Sequence, residues 1–286
     1  MPIAILASMT TTQRIFLFFL VLFTGLAIWA FVIEPSFIRV KETRIEVRNW
    51  PPELAGYKIV FITDPHVGGP HIGLRKVEEI VAKANALKPD LTLLGGDYVI
   101  RIIGGHDVAP EDIASAFGKL TAKQGVYGVL GNHDWWMAPG RIKSAFENNA
   151  IPMIENKAVA LEANGKSFWL VGVGDFTESK HDITKAFANV TGKQPVLLLT
   201  HSPDVFPELP LRAALTLAGH THGGQVYVPF LGRPVIPSIY GQRYAKGLIQ
   251  EEGKQLFVSP GIGTSILPVR FLTPPEISVL RLYPQL

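Results

Sequence analysis

The chain has 286 residues, 47% hydrophobic and 18% charged, with a formal net charge of +3 and no cysteine. That composition excludes a disordered chain and gives no electrostatic case for nucleic-acid binding. Disulfides, thiolate metal sites and a cysteine nucleophile are excluded as well, while the length allows one large domain or two small ones.

Residues 15–33 run without a charge, about the length a helix needs to cross a ~30 Å hydrocarbon core. Trp29 stands near one end, where aromatic anchors gather. A cleaved signal peptide and a buried core helix are the alternatives. A signal's apolar region is usually shorter, however, no small-x-small site follows Ile33, and the stretch has no polar face. The expectation is an N-terminal segment 1–34 carrying a retained transmembrane anchor, ahead of a domain at 35–286. Arg14 and the terminal amine precede the span; Arg39, Lys41, Arg44 and Arg48 follow it, among Glu34, Glu42 and Glu46. Counting positive charges places the domain in the cytoplasm. Yet residues 43–48 alternate as a strand does, with Ile45 and Val47 on one face, so these charges belong to a folded domain and the side stays open.

Beyond Gly56 the hydrophobic period switches repeatedly. Residues 57–63, 91–94 and 125–130 read as buried strands; 74–87, 111–120 and 141–149 read as helices. The second half is richer in strands: 158–163 and 168–173 flank the turn pair Asn164-Gly165, and 196–200 and 211–218 are almost wholly apolar. Residues 181–190 fit a helix; 248–250, 255–258 and 277–282 fit strands. Proline and glycine crowd 229–241, the mark of a long surface loop. The alternation implies an α/β fold with a parallel or mixed sheet.

Five apolar strands each end in residues able to hold a metal: Asp64 with His66, Asp97, Asn132 with His133, His201, and His220 with His222. If the five lie side by side, these groups meet in one crevice beyond the strands' carboxyl ends. Oxygen and imidazole donors without thiolate suit Mn, Fe, Zn or Mg-like ions, and their number exceeds what one ion needs. On extended backbone His220 and His222 point the same way, toward one ion.

Asp64-Pro65-His66, Gly96-Asp97, Gly131-Asn132-His133-Asp134, His201 and Gly219-His220-Thr221-His222 together resemble, in order, the motif set of the calcineurin-like metallophosphoesterases. The later stretch from Ser259 to Glu276, with Arg270 inside it, resembles that family's membrane-anchored bacterial branch. The resemblance implies a four-layer α/β/β/α sandwich and a phosphodiester- or pyrophosphate-cleaving hydrolase with two divalent metal ions. It implies Asp64, His66 and His222 on the first ion, Asn132, His201 and His220 on the second, and Asp97 between them. This splits His220 and His222 between two ions. His133 would act on the departing oxygen, with Asp134 orienting it. The expected partners are a phosphoester substrate, with lipid-linked envelope precursors one class, and the membrane through the N-terminal helix. The competing reading is a non-catalytic metal-binding membrane scaffold. Two positions depart from the family: Ile100, where a polar residue is common, and Pro65.

Other candidates have plainer readings. His71, His106 and His181 are solvated positions, with His71 in reach of the pocket rim. Asp175 caps a loop. Trp135 and Trp136 serve either the core or an apolar wall at the site's mouth. Arg233 and Arg243 are surface arginines able to meet a phosphate.

Overall fold

The computed structural model describes residues 9–102 and 104–285. The first part of the expected N-terminal segment, residues 1–8 with the terminal amine, lies outside the described residues. Helix α1 (Thr11–Ile28) opens on a capping box, in which the Thr10 hydroxyl accepts the Gln13 N–H and the Gln13 side chain accepts the Thr10 N–H. It continues through a π-helical turn (Trp29–Ile33) and a last turn (Glu34–Ser36). These 26 residues make one helix long and apolar enough to cross a membrane, and almost nothing covers it. Phe16, Phe18, Phe19, Val21 and Phe23 are all exposed.

The end of that helix is fastened to the folded body. The Ala30 carbonyl accepts the Arg270 N–H at 2.9 Å. Glu34 is buried, and its carboxylate accepts the backbone N–H groups of Leu272 (3.0 Å) and Thr273 (2.6 Å) and the Trp29 indole N–H (2.7 Å). The division expected between residues 34 and 35 therefore runs through a set of contacts. Trp29 and Glu34 are tied to the domain as well as to the helix.

The strands in chain order are β1 (Arg39–Val47), β2 (Tyr57–Ile62), β3 (Leu91–Leu94), β4 (Val126–Gly128), β5 (Lys157–Ala163), β6 (Lys166–Gly172), β7 (Val196–Leu199), β8 (Ala213–Ala218), β9 (Gly247–Glu251), β10 (Lys254–Val258) and β11 (Glu276–Pro284). They form two sheets, ordered β1-β11-β2-β3-β4 and β5-β6-β7-β8-β10-β9. The basic residues after the span sit in or directly after β1, which pairs parallel with β11 and buries Ile45 and Val47. Strands β5 and β6 are a hairpin whose turn residues Asn164 and Gly165 both take positive φ, as a tight primed turn requires.

The two sheets pack face to face. Period-2 alternation sends Ile59, Phe61, Leu91 and Leu93 inward against Leu170, Leu197, Leu199, Leu215 and Leu217. Their neighbours Val60, Ile62 and Leu94 face outward onto helices α2 (Leu74–Ala86), α3 (Pro110–Phe117) and α5 (Pro139–Asn148), which place Val77, Ile80, Ile113, Phe117, Ile142 and Phe146 there. Short α4 (Asn132–Met137) precedes α5. On the far side, Val171, Leu198 and Leu256 are covered by the short helix α6 (Ile183–Phe187), by Val205 and Phe206 of a 3₁₀ turn, and by Tyr244. The architecture is the α/β/β/α sandwich, with a thin and irregular fourth layer. The helix expected over 181–190 shrinks to the five residues of α6, which opens at Asp182, whose side chain accepts the Lys185 N–H as an N-cap.

Candidate metal centre

The five ligand-bearing strands do not lie side by side in one sheet, as the sequence suggests. Strands β2, β3 and β4 belong to the first sheet, and β7 and β8 to the second. Within each group the strands are parallel, so both sheets present carboxyl ends at the same rim. Asp64, His66, Asp97 and Asn132 arrive from one side, and His201, His220 and His222 from the other. All seven are buried.

Among the described residues three groups of side chains come within ligand reach of one another: Asp64 with His66 and His222, Asp97 with His201 and His220, and, nearer the mouth, His66 and Asp97 with His133. Asp97 connects them, since its Oδ2 lies 3.5 Å from His66 Nε2 and 3.3 Å from His201 Nε2. Asn132 Oδ1 joins the second group 3.1 Å from His201 Nε2, and His220 Nδ1 lies 3.2 Å from that same nitrogen. In the first group His66 Nε2 and His222 Nε2 face each other at 3.1 Å, with Asp64 Oδ1 3.7 Å from the latter. Imidazole nitrogens aimed at one another and at carboxylates suit a shared cation.

The outer nitrogens are spoken for. His201 Nδ1 lies 2.7 Å from the Gly95 carbonyl and His66 Nδ1 3.4 Å from the Val99 carbonyl, which fixes the tautomer leaving each Nε2 free inward. Burial holds His66 and His220 down to about 3, so both are neutral donors. His222 is pushed well below its usual value by burial, by His66 and by the Arg270 guanidinium. Burial works against the charge of Asp97, but His201 and His66 overcome it and hold the carboxyl well below the usual range. Burial also resists a charge on His201, yet Asp97 and Asp64 raise it well above its usual value, and the same two carboxylates would favour a cation beside Nε2.

The backbone explains why these residues sit where strands end. Asp64, His66, Asp97, His220 and His222 all adopt left-handed φ, between 47° and 67°. Such conformations cost energy for non-glycine residues and persist where the surroundings over-determine them. The expectation that His220 and His222 share an extended backbone is overturned. Thr221 between them is in the right-handed helical region, and the rings diverge, His220 toward His201 and His222 toward His66. Gly219 makes room for this turn, since a Cβ there would run into the Thr63 hydroxyl and the Asp64 carboxylate.

His133 is half-buried at the mouth of the site. Its N–H donates to Asp97 Oδ1, and its ring lies 4.8 Å from that of His66 and 4.5 Å from that of Trp136. Asp134, expected to orient His133, makes its hydrogen bonds elsewhere. Its carboxylate accepts the backbone N–H groups of Gly131 (2.9 Å), Asp97 (2.8 Å), Tyr98 (2.9 Å) and Val99 (3.3 Å). It braces the strained Asp97 turn, and burial together with Asp97 lifts its carboxyl to about 8. Trp136 is exposed at the mouth, with its indole donating to Glu178, while Trp135 packs on the core under Lys180. The two tryptophans thus divide the two roles the sequence left open.

Of the plainer candidates, His71 meets the Pro268 carbonyl at 3.1 Å, His181 pairs with Glu208, and His106 is exposed. Asp175 caps its loop through the Glu178 N–H. Arg243 is paired with Glu251, away from the ligands. Arg233 donates to the Gly223 carbonyl, one residue from His222. Ile100 is buried, and no ligand depends on it.

The residue the sequence reading leaves without a task is Arg270. It is completely buried and donates to the carbonyls of Pro260, Gly261, Gly263 and Thr273. Burial pulls it down to about 10, so it stays charged at neutral pH. It pins the loop whose Gly261 and Gly263 lie so close to Asp64 and His66 that a Cβ would collide with them. A lone arginine between apolar Val269 and Phe271 in a proline- and glycine-rich stretch is the signal that points to it.

Residues 57–230 match the family model of the calcineurin-like phosphoesterases. The chain belongs to the calcineurin-like phosphoesterases. This phosphoesterase is 30% identical over 261 residues to the uncharacterized metallophosphoesterase YkuE of Bacillus subtilis, covering 89% of this chain and 88% of that one. It is 31% identical over 235 residues to the phosphodiesterase YaeI of Escherichia coli, covering 80% and 83%. It is 26% identical over 312 residues to the UDP-2,3-diacylglucosamine pyrophosphatase LpxG of Chlamydia trachomatis, covering 89% and 92%. Family membership and these relatives make the chain a metal-dependent phosphoester hydrolase.

Proposed function

We propose that the phosphoesterase uses a dinuclear metal centre to hydrolyse a phosphodiester or pyrophosphate bond, and that its substrate is linked to a membrane lipid. The observation that carries the first part is the position of Asp97, whose Oδ2 stands between His66 and His201 and so links the two ligand groups. Asp64, His66 and His222 would hold one ion and Asn132, His201 and His220 the other. When bound, two divalent cations supply a Lewis-acid field and an activated water. The chain's residues do the rest. Four backbone N–H groups on Asp134 fix the Asp97 turn, buried imidazoles keep neutral donors in place, and His133 at the mouth is set to protonate the departing oxygen. LpxG, whose name states a lipid-derived pyrophosphate substrate, supports the second part, as does the uncovered helix α1.

Two measurements test this. Metal analysis of the full chain loaded with Mn²⁺ should give close to two ions per chain; one ion, or none, refutes the dinuclear reading. Hydrolysis of bis-p-nitrophenyl phosphate should fall about 10²–10⁴-fold in His133→Ala while the metal content stays unchanged. An unchanged rate removes His133 from the chemistry. No hydrolysis by the metal-loaded wild type of this ester or of a panel of lipid pyrophosphates would favour a binding scaffold.

A further inference from the structure

Two loops beside the metal centre end in apolar side chains that nothing covers. In the first, Val228 and Gly232 form a tight bridge whose tip carries Phe230 and Leu231, fully and 78% exposed, followed by Val235 and Ile239. In the second, Ile266 and Leu267 are exposed at 77% and 57%. Isolated exposed apolar residues are ordinary, but these stand on two loops joined at their bases. Val226 pairs with Phe271, the Tyr227 N–H donates to the Phe271 carbonyl at 2.8 Å, and the Gln225 side chain donates to the Leu267 carbonyl at 3.2 Å.

The same segment holds the end of the apolar helix. Arg270, next to Phe271, donates its N–H to the Ala30 carbonyl, and Leu272 donates to Glu34. The tips therefore lie within a few residues of the point where α1 leaves the folded body. A basic group flanks them. Lys246 is lowered to about 8, first by burial, with Glu276 opposing, and then by the nearby charges of Arg39, Lys41 and Arg233. Apolar tips beside clustered cations are the composition of a surface that rests in the headgroup layer of a bilayer. The loop also reaches the site, since the Pro237 carbonyl faces the His220 ring and Arg233 holds the Gly223 carbonyl.

We propose that the 229–239 and 265–268 loops form a rim that dips into the bilayer interface beside the α1 anchor, so that the metal centre opens at the membrane surface. The occupant is the lipid layer that receives the helix. Given the hydrolase reading above, the substrate class is an amphiphile whose phosphoester lies in the headgroup zone while its acyl chains stay in the bilayer.

The chain has no cysteine, so single cysteines can carry spin labels without background. Phe230→Cys, Ile266→Cys, Phe23→Cys within α1, and Leu211→Cys, at the opposite ends of the strands, are labelled in the full chain. They are reconstituted in vesicles of phosphatidylcholine with phosphatidylglycerol. Collision with oxygen is compared with collision with a water-soluble nickel chelate. The oxygen-to-nickel ratio at 230 and 266 should be several-fold higher than at 211 and lower than at 23, as for side chains ~5–10 Å into the interface. Ratios at 230 and 266 equal to that at 211 overturn the rim. Label–label broadening that disappears on dilution with unlabelled chain assigns the patch to a second copy and also overturns it. An aqueous label at 23 overturns the anchor and the rim together. None of these outcomes depends on turnover, so the rim can fail while the hydrolase reading stands.

Discussion

Asp97→Asn is expected to leave the fold intact and reduce hydrolysis of bis-p-nitrophenyl phosphate by more than about 10²-fold, with loss of at least one bound ion. Substitutions beyond the ligands of a metal site typically cost 10–100-fold, and this one removes the group between the two ligand sets. The change conserves volume, and the left-handed backbone at this position is tolerated by asparagine. What is lost is the charge. One carboxylate oxygen accepts the His133 N–H while the other faces His66 and His201. An amide keeps at most one of these interactions without directing an N–H group at an imidazole. Metal analysis, circular dichroism and rate on the same preparation check the prediction. Full activity with full metal content would refute the role given to Asp97.

Arg270→Ala is expected to cost about 3–5 kcal/mol of stability and to weaken metal binding even though Arg270 is not a ligand. Four carbonyls lose their donor in a buried setting, and each unsatisfied buried group costs about 1–3 kcal/mol before relaxation. The freed loop carries Gly261 and Gly263, which press on Asp64 and His66. Denaturant unfolding should show the loss, and metal titration should show weaker affinity in the fraction that folds. Arg270→Lys keeps the charge but not the planar fork, and is expected to recover only part of the stability. Unchanged stability in Arg270→Ala would remove the loop-pinning role.

Much of this molecule was legible in the sequence, for identifiable reasons. The strands 57–63, 91–94 and 196–200 are short apolar runs ending in glycine, aspartate or histidine, and they correspond to β2, β3 and β7. The candidate ligands stood out because polar residues at the ends of buried strands have few structural uses. What escaped was relational. Pairing is set by contacts between distant segments, so nothing in the runs themselves says that β4 and β7 belong to different sheets. The His220–His222 backbone read as extended because i and i+2 spacing takes no account of a left-handed turn, and the room for that turn depends on Gly219 lying bare against Thr63 and Asp64. Asp134 read as a partner of its neighbour in sequence, but its carboxylate is taken up by amides from residues 97–99 and 131. Glu34 was legible as an acid at the end of an apolar span, and only the fold reveals the amides it accepts.

The division of the ligands between two sheets makes the centre a clasp. Four of the proposed ligands hang from one sheet and three from the other, at a rim that the His220 N–H also crosses to the Asp64 carboxylate and His201 Nδ1 to the Gly95 carbonyl. Ions held there would add to those links at the rim, while the apolar layer between the sheets secures the rest. Metal occupancy and global stability are then a single linked quantity. At free metal 100-fold above its dissociation constant, one such site contributes about 2.7 kcal/mol. Chelation should therefore lower the melting temperature of the whole domain, and the shift should follow free Mn²⁺ logarithmically. A melting temperature independent of metal would mean that the sheets close without the clasp.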